Sequence, residues 1–317
     1  MKVVFMGSPE LAATCLRELA RAHEVALVVT QPDKPAGRGG QLAEPAVKIA
    51  AKELGLAVIQ PKSAKTGELA AALAGSGAEL AVVVAYGKIL PRAVLDAVPR
   101  GCINVHASLL PKYRGAAPVQ WAVIAGEPET GVSIMQLDEG MDTGPVYLER
   151  RTPIDPDETA GELLARLAPI GAAAMLEVVA AIAAGTARAV AQDPALATHA
   201  RPLDKTDGAI DFSRPAVEVA SRIRGVDPWP GAHALVRGNL VKLFRARVTP
   251  RPAAAASQLT AEVPGTVFHI DGTGMYVACG DGAVVIRDLQ LPGRKRLAAA
   301  QVAAGRGVAV GDVLVKP

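Results

Sequence analysis

Lys2-Val3-Val4-Phe5-Met6-Gly7-Ser8-Pro9-Glu10-Leu11 opens the chain as an apolar run, a small-residue break and the first turn of a helix. The run is short and β-branched, which marks a strand buried on both faces. Ser8 is placed to cap the helix, with Pro9 at its first position, where a missing N–H costs nothing. Leu11, Cys15, Leu16 and Leu19 then recur at helical spacing, and Val25 to Thr30 is a second β-branched run. Strand, helix, strand is the repeating unit of a parallel sheet.

The alternation continues outward. A helix is predicted near Pro45 to Leu54, a strand at Ala57 to Ile59, a helix around Gly67 to Ala74, and strands at Leu80 to Ala85 and Cys102 to His106. Thr130 to Leu137 and Pro145 to Thr152 read as extended segments facing each other across a turn, and Glu158 to Ala184 as a long helix. This predicts an α/β domain with a doubly wound parallel sheet over residues 1–189. The first turn lacks G-x-G-x-x-G, which excludes the usual dinucleotide-binding reading. Gln192 to Asp204 has no periodicity and reads as a surface linker, placed at residues 190–206. Beyond it, a helix at Pro215 to Arg224 and short runs at Asn239–Val248, Gly265–His269, Met275–Cys279, Ala283–Leu289 and Val313–Val315 predict a small β-barrel at residues 207–317.

At 317 residues the chain has room for two domains. Half of it is apolar, but much of that is alanine, which buries little area per residue. The N-terminal apolar run is too short for a signal peptide. Pro169, Gly171 and Glu177 interrupt the most membrane-like stretch, Leu167 to Ala184, which reads as a core helix. Cys15, Cys102 and Cys279 show no C-x-x-C spacing, and the five histidines never pair at ligand spacing, so neither a disulfide framework nor a metal site is expected. A reducing cytoplasm, a monomer and no membrane partner fit this picture. Residues 1–189 carry 18 Lys+Arg against 20 Asp+Glu, residues 190–204 carry 1 against 2, and residues 205–317 carry 15 against 9. The basic excess is therefore C-terminal, where it suits either a solvated surface or polyanion contact.

Period-two geometry puts Asn104 and His106 on one face of their strand, with Ile103 and Val105 on the other. Both lie at the carboxyl end of a predicted parallel strand, where open α/β sheets form their ligand crevice. Taken alone, the pair suits a hydrogen-bonded core strand better than catalysis. A Pro- and Gly-punctuated loop follows, Ala107-Ser108-Leu109-Leu110-Pro111-Lys112-Tyr113-Arg114-Gly115, and a second, acidic turn is Asp138-Glu139-Gly140-Met141-Asp142-Thr143-Gly144. No G-x-S-x-G elbow surrounds Ser108, which argues against a serine hydrolase.

With Asn104, His106, the Ser108 to Pro111 loop and Asp142 in this order, the sequence resembles the folate-dependent formyltransferase family. The resemblance implies a Rossmann-like catalytic domain, here followed by an OB-like barrel, and formyl transfer from 10-formyltetrahydrofolate to an amine. It implies Asn104, His106 and Asp142 as the catalytic residues. It places the folate against Tyr86, Gly87, Lys88, Ile89 and Leu90, and against Ser108, Leu109, Leu110 and Pro111. Attack of an amine on a formyl carbon needs fixed donors for a negative oxygen and a proton path from nitrogen. Asn104 and His106 suit the first need, with Asp142 orienting His106 and favouring its charged form.

The same catalytic domain serves several acceptors. Gln31-Pro32-Asp33-Lys34-Pro35-Ala36-Gly37-Arg38-Gly39-Gly40 resembles the tRNA-contacting loop of those family members that act on initiator methionyl-tRNA, which implies RNA contacts for Lys34 and Arg38. Read by composition, the loop suits a solvated connection as well. A sugar-nucleotide amine as acceptor, or formyltetrahydrofolate hydrolysis, is the alternative.

Overall fold

The computed structural model describes residues 1–36, 41–250 and 263–317. It contains two compact units. The first comprises Met1–Pro118, Thr130–Thr152 and Leu164–Ala200, and the second Val119–Glu129, Pro153–Leu163 and Arg201–Pro317. Through residue 200 the elements are β1 (Lys2–Gly7), α1 (Glu10–Ala22), β2 (Glu24–Val29), β3 (Lys34–Ala36), β4 (Gln41–Ala43), α2 (Ala46–Glu53), β5 (Val58–Ile59), α3 (Glu68–Gly75), β6 (Leu80–Val84), α4 (Arg92–Leu95), β7 (Cys102–His106), β8 (Arg114–Gly115), α5 (Pro118–Ala125), β9 (Glu129–Gln136), β10 (Val146–Pro153), α6 (Ala160–Ala183) and β11 (His199–Ala200).

The large sheet has the order β10-β9-β7-β6-β1-β2-β5. Its pairings from β7 to β5 are parallel, and β9 runs antiparallel to β7. Val3, Val4, Phe5 and Met6 of β1 are all fully buried, as a strand with neighbours on both sides and helices on both faces requires. Each such large side chain contributes about 1.5–3 kcal/mol over leaving it in water. Strand order reverses between β1 and β6, so the loops after β1, β2, β6 and β7 gather at the crevice such a switch point creates.

Ser8 does not cap α1 as predicted. The cap position is Pro9, and the Ser8 hydroxyl accepts hydrogen bonds from Thr30 Oγ1 at 3.3 Å and Gln31 N at 3.2 Å. The loop leaving β2 outcompetes the local helix for that oxygen. Helix α6 is long and apolar enough to cross a membrane by length and composition, and half of its most apolar 18-residue window is buried. A Cβ added at Gly171 would sit 3.1 Å from Val105 Cγ1, so this helix covers β7 at close range, as the core-helix reading expected. Through residue 200 the β3–β4 hairpin, the β8–β11 pair and α5 were not predicted. The strands are two or three residues long, and α5 is apolar all round, so neither carries a usable period.

The second unit adds α7 (Ala216–Gly225), β12 (His233–Val236), β13 (Asn239–Thr249), β14 (Val267–Ile270), β15 (Met275–Ala278), β16 (Ala283–Gln290), β17 (Leu297–Ala298), α8 (Ala299–Ala304) and β18 (Leu314–Val315). The antiparallel order is β14-β15-β16-β13-β12-β18, and a Thr266–Val313 bridge brings the two edges of the curled sheet together. Leu243, Ala246, Val277, Val284 and Ile286 fill its interior without exposure. This is the predicted OB-like barrel. Trp121 Nε1 donates to the Arg201 carbonyl at 2.8 Å, and its ring carries the Arg201 and Arg222 guanidinium groups 5.0 and 5.5 Å from its centroid.

Candidate active site

Asn104 and His106 stand on β7, two residues apart and on the same face, at the end of the strand where the parallel ladder with β6 stops. His106 is buried, 6% exposed. Its Nε2 lies 2.9 Å from the Tyr113 carbonyl oxygen, which can only accept, so the proton of a neutral ring sits on Nε2. That leaves Nδ1 facing Asp142 Oδ2 across 3.7 Å. The carboxylate is held in turn, because Oδ2 accepts the Gly115 N–H at 2.8 Å. The Asn104 carboxamide makes no hydrogen bond with any described residue.

Local backbone geometry builds this arrangement. Ala85, Tyr113 and Asp142 have φ of 46°, 58° and 53°. The left-handed region costs a non-glycine residue roughly 1–2 kcal/mol, least for Asp, and such strain persists where surrounding structure enforces it. Here each one redirects a loop at the crevice. Tyr113 N donates to Thr198 Oγ1 at 2.8 Å and Arg114 N to the Thr198 carbonyl at 2.9 Å, so the segment read as a linker pairs with β8 and orients the carbonyl that His106 needs. The Asp142 turn closes at Gly144, where any Cβ would overlap the Gln136 carbonyl.

The Ser108 to Pro111 loop is tied down by a residue that sequence reading missed. Ser133, opposite His106 on β9 and fully buried, donates to the Ser108 carbonyl at 2.7 Å and accepts from Leu110 N at 3.1 Å. Ser108 is buried and donates to the Lys112 carbonyl at 2.7 Å, Leu110 is buried, and Leu109 and Pro111 are half-buried. The other loop leaves β6, the strand next to β7. Its Tyr86 carbonyl accepts Gln31 Nε2 at 2.8 Å, and Gln60 Nε2 reaches the Gln31 carbonyl at 2.8 Å. Backbone N–H groups of Gly87, Lys88, Ile89 and Leu90 donate to no described residue, and Ile89 is 71% exposed. Lys88 Nζ donates to the carbonyls of Pro61 and Lys62 at 2.8 and 2.9 Å, and both burial and the neighbouring Lys34 ammonium lower its pKa. Lys34 is exposed on β3. Arg38 lies outside the described residues. Gln31 and Gln60 follow the ends of β2 and β5, Ser133 lies within β9 and Gln192 in the segment after α6, and none of them had a signal in the sequence beyond being polar.

The fold and these contacts can be set beside known proteins. Residues 1–179 match the family model described as formyl transferase, and residues 202–307 match that of the formyl transferase C-terminal domain. A methionyl-tRNA formyltransferase of Sorangium cellulosum is 48% identical over 314 residues, covering 99% of each chain. One from Symbiobacterium thermophilum is 48% identical over 319 residues, covering 100% of this chain and 96% of its own. Among solved structures, the N-formyltransferase of Helicobacter canadensis in complex with folinic acid and dTDP-3-aminofucose shares the fold at a TM-score of 0.66 and 16% identity, covering 94% of this chain and 100% of that one. Both domain models match in sequence order, and near-half identity runs from end to end; the chain belongs to the methionyl-tRNA formyltransferase family of formyl transferases.

Proposed function

We propose that this enzyme moves the formyl group of 10-formyltetrahydrofolate onto the free α-amino group of initiator methionyl-tRNA, giving formylmethionyl-tRNA for translation initiation. The observation that carries the chemistry is the facing of His106 Nδ1 and Asp142 Oδ2 across 3.7 Å, at the strand end that also bears the Asn104 amide, unpartnered among the described residues. Acceptor identity rests on the likeness to relatives that carry the methionyl-tRNA name along their whole length.

The residues present fit a reduced folate. Four backbone donors at Gly87 to Leu90, free among the described residues, with the Ile89 side chain and the half-buried Leu109 as apolar walls, suit a flat heterocycle rimmed by acceptors. When bound, the folate supplies an activated one-carbon unit on nitrogen. The chain's own groups do the rest. Asn104 donates to the formyl oxygen as negative charge gathers there; such a donor typically stabilises a transition state by about 2.7–4 kcal/mol. In place of the charged, oxygen-donating His106 expected from the sequence, Nε2 is committed to the Tyr113 carbonyl, and when the ring is neutral Nδ1 and the Asp142 carboxylate face each other as acceptors, so a proton donor between them satisfies both. The attacking amine is that donor, and the pair takes up the proton it loses and passes it to the folate nitrogen, directly or through water, as the bond between that nitrogen and the formyl carbon breaks. A free α-amine titrates near ~7.7–8.0, so a useful fraction is neutral without a strong base, and the burden falls on placement.

Lys34 and Arg38 contact the acceptor stem in this reading, and the basic excess of residues 205–317 holds phosphates without reading sequence. The enzyme acts as a cytoplasmic monomer. Formyl transfer assayed side by side with methionyl-tRNA, a sugar-nucleotide amine and water as acceptors tests the proposal. Turnover with methionyl-tRNA alone is expected; transfer confined to the sugar amine, or hydrolysis alone, overturns it.

A further inference from the structure

Gln192 stands far along the chain from the catalytic strand, in the segment after α6, yet its side chain spends its donors on the turn that carries Asp142 and its acceptor on Arg114. Its Nε2 donates to the Asp142 carbonyl at 2.9 Å and to the Gly144 carbonyl at 2.7 Å. Its Oε1 accepts from Arg114 Nε at 3.0 Å and Nη2 at 2.7 Å. Arg114 is itself buried, 7% exposed, on β8, between Tyr113, whose carbonyl orients His106, and Gly115, whose N–H holds the Asp142 carboxylate. One carboxamide thus ties together the backbone supports of both members of the His106–Asp142 pair.

We propose that Gln192 is a positioning residue for formyl transfer. Together with Arg114 it locks the Asp142–Gly144 turn, holding Asp142 at its left-handed φ of 53° so that its carboxylate stays on Gly115 N and opposite His106 Nδ1. An isolated Asp relaxes out of that region readily, since its competing conformations are more populated. The two donated bonds remove that freedom, and the Arg114 fork fixes which end of the amide faces the turn. Gln192 touches neither reacting group in this arrangement. Its contribution is the sub-ångström placement of a group that does, and an error of about 1 Å in such placement can cost a hundredfold in rate.

This inference rests on the reading of Asp142 as a catalytic residue, and the experiment separates the two. Gln192→Glu keeps an oxygen for Arg114 but turns the two donated bonds into contacts between acceptors; Gln192→Ala removes the whole brace. Each is measured in the wild type and in an Asp142→Asn background, with single-turnover rate, kcat, KM for each substrate, folate Kd and thermal midpoint as readouts. The expected result is a fall in kcat of about tenfold or more for both variants. Folate Kd stays near wild type, the midpoint falls in Gln192→Ala because the buried Arg114 guanidinium loses the acceptor of both its bonds, and in Asp142→Asn the added loss in kcat is under about twofold, because residues acting as a unit are not additive. Unchanged kcat in Gln192→Glu, or an equal loss in both backgrounds, overturns the positioning role. Near-normal turnover in Asp142→Asn instead removes Asp142 from catalysis, and the catalytic reading falls with it. If Gln192→Ala fails to fold, the isosteric Gln192→Glu decides.

Discussion

At the scale of single residues, the proposed mechanism divides groups that meet substrate from groups that hold them. His106 has one nitrogen committed to the Tyr113 carbonyl and one turned to Asp142, so its ring cannot swing without losing both. His106→Ala leaves a small cavity at a strand end and, in the proposed mechanism, removes the proton's destination. A kcat loss of about a hundred- to a thousandfold is expected, with the fold retained by circular dichroism; a rate within about threefold of wild type would take His106 out of the mechanism. Tyr86 is the converse case. It is 1% exposed, burial raises its pKa, and its hydroxyl finds no partner among the described residues. An unpaired buried hydroxyl costs about 1–3 kcal/mol. Tyr86→Phe is therefore expected to leave the thermal midpoint equal or higher with transfer intact, since this residue's tie to the site is its backbone carbonyl. A lowered midpoint would show that the hydroxyl has a stabilising partner.

At the scale of elements, short segments without periodicity turn out to be as structural as the long ones. β8 and β11 have two residues each, yet their pairing sets the Tyr113 carbonyl and buries Ala200 completely. In the second unit the turn after residue 204 is fastened by Asp207, whose carboxylate accepts from Arg201 at 2.6 and 2.9 Å and from Asp204 N at 2.8 Å. Burial raises its pKa, but the Arg201 bonds and the backbone N–H outweigh it, and the net direction is down. A carboxyl depressed in the folded state stabilises in full above its unfolded value of about 3.9, and that stability is lost as pH falls through the folded value. Fluorescence of Trp121, stacked beside Arg201, is expected to report acid unfolding of this unit below about pH 4. Asp207→Asn is expected to cost about 1–3 kcal/mol at neutral pH and to flatten that acid limb. An acid transition identical to wild type would mean that another carboxylate governs it.

At the scale of the whole molecule, charge is unevenly distributed along the chain, with a net −2 over residues 1–189 and +6 over residues 205–317. A polyanionic acceptor engaging several of these cations releases counterions, so its affinity is expected to fall on the order of a hundred- to a thousandfold between about 50 and 200 mM salt. Folate affinity changes little over the same range if its site relies on backbone donors and apolar walls. Filter binding of methionyl-tRNA and fluorescence titration of the folate, run across one salt series, test this contrast. A flat salt response for the tRNA would place its recognition outside the basic excess.

Much of this architecture was readable from residues alone. β1, α1, β2 and the later long strands announce themselves because burial imposes a period of two or 3.6, or an unbroken apolar run, on any segment long enough to show one. Asn104 and His106 were legible for the same reason, since strand alternation puts residues two apart on one face. Local pattern could not say where Ser8 spends its hydroxyl, which carbonyl fixes His106, or that Gln192 reaches back to the Asp142 turn. Those contacts join residues as much as 50 positions apart through short loops and lone side chains. A hydrogen bond to a distant backbone leaves no periodic trace in the sequence around either partner, and only the folded chain brings the two within reach.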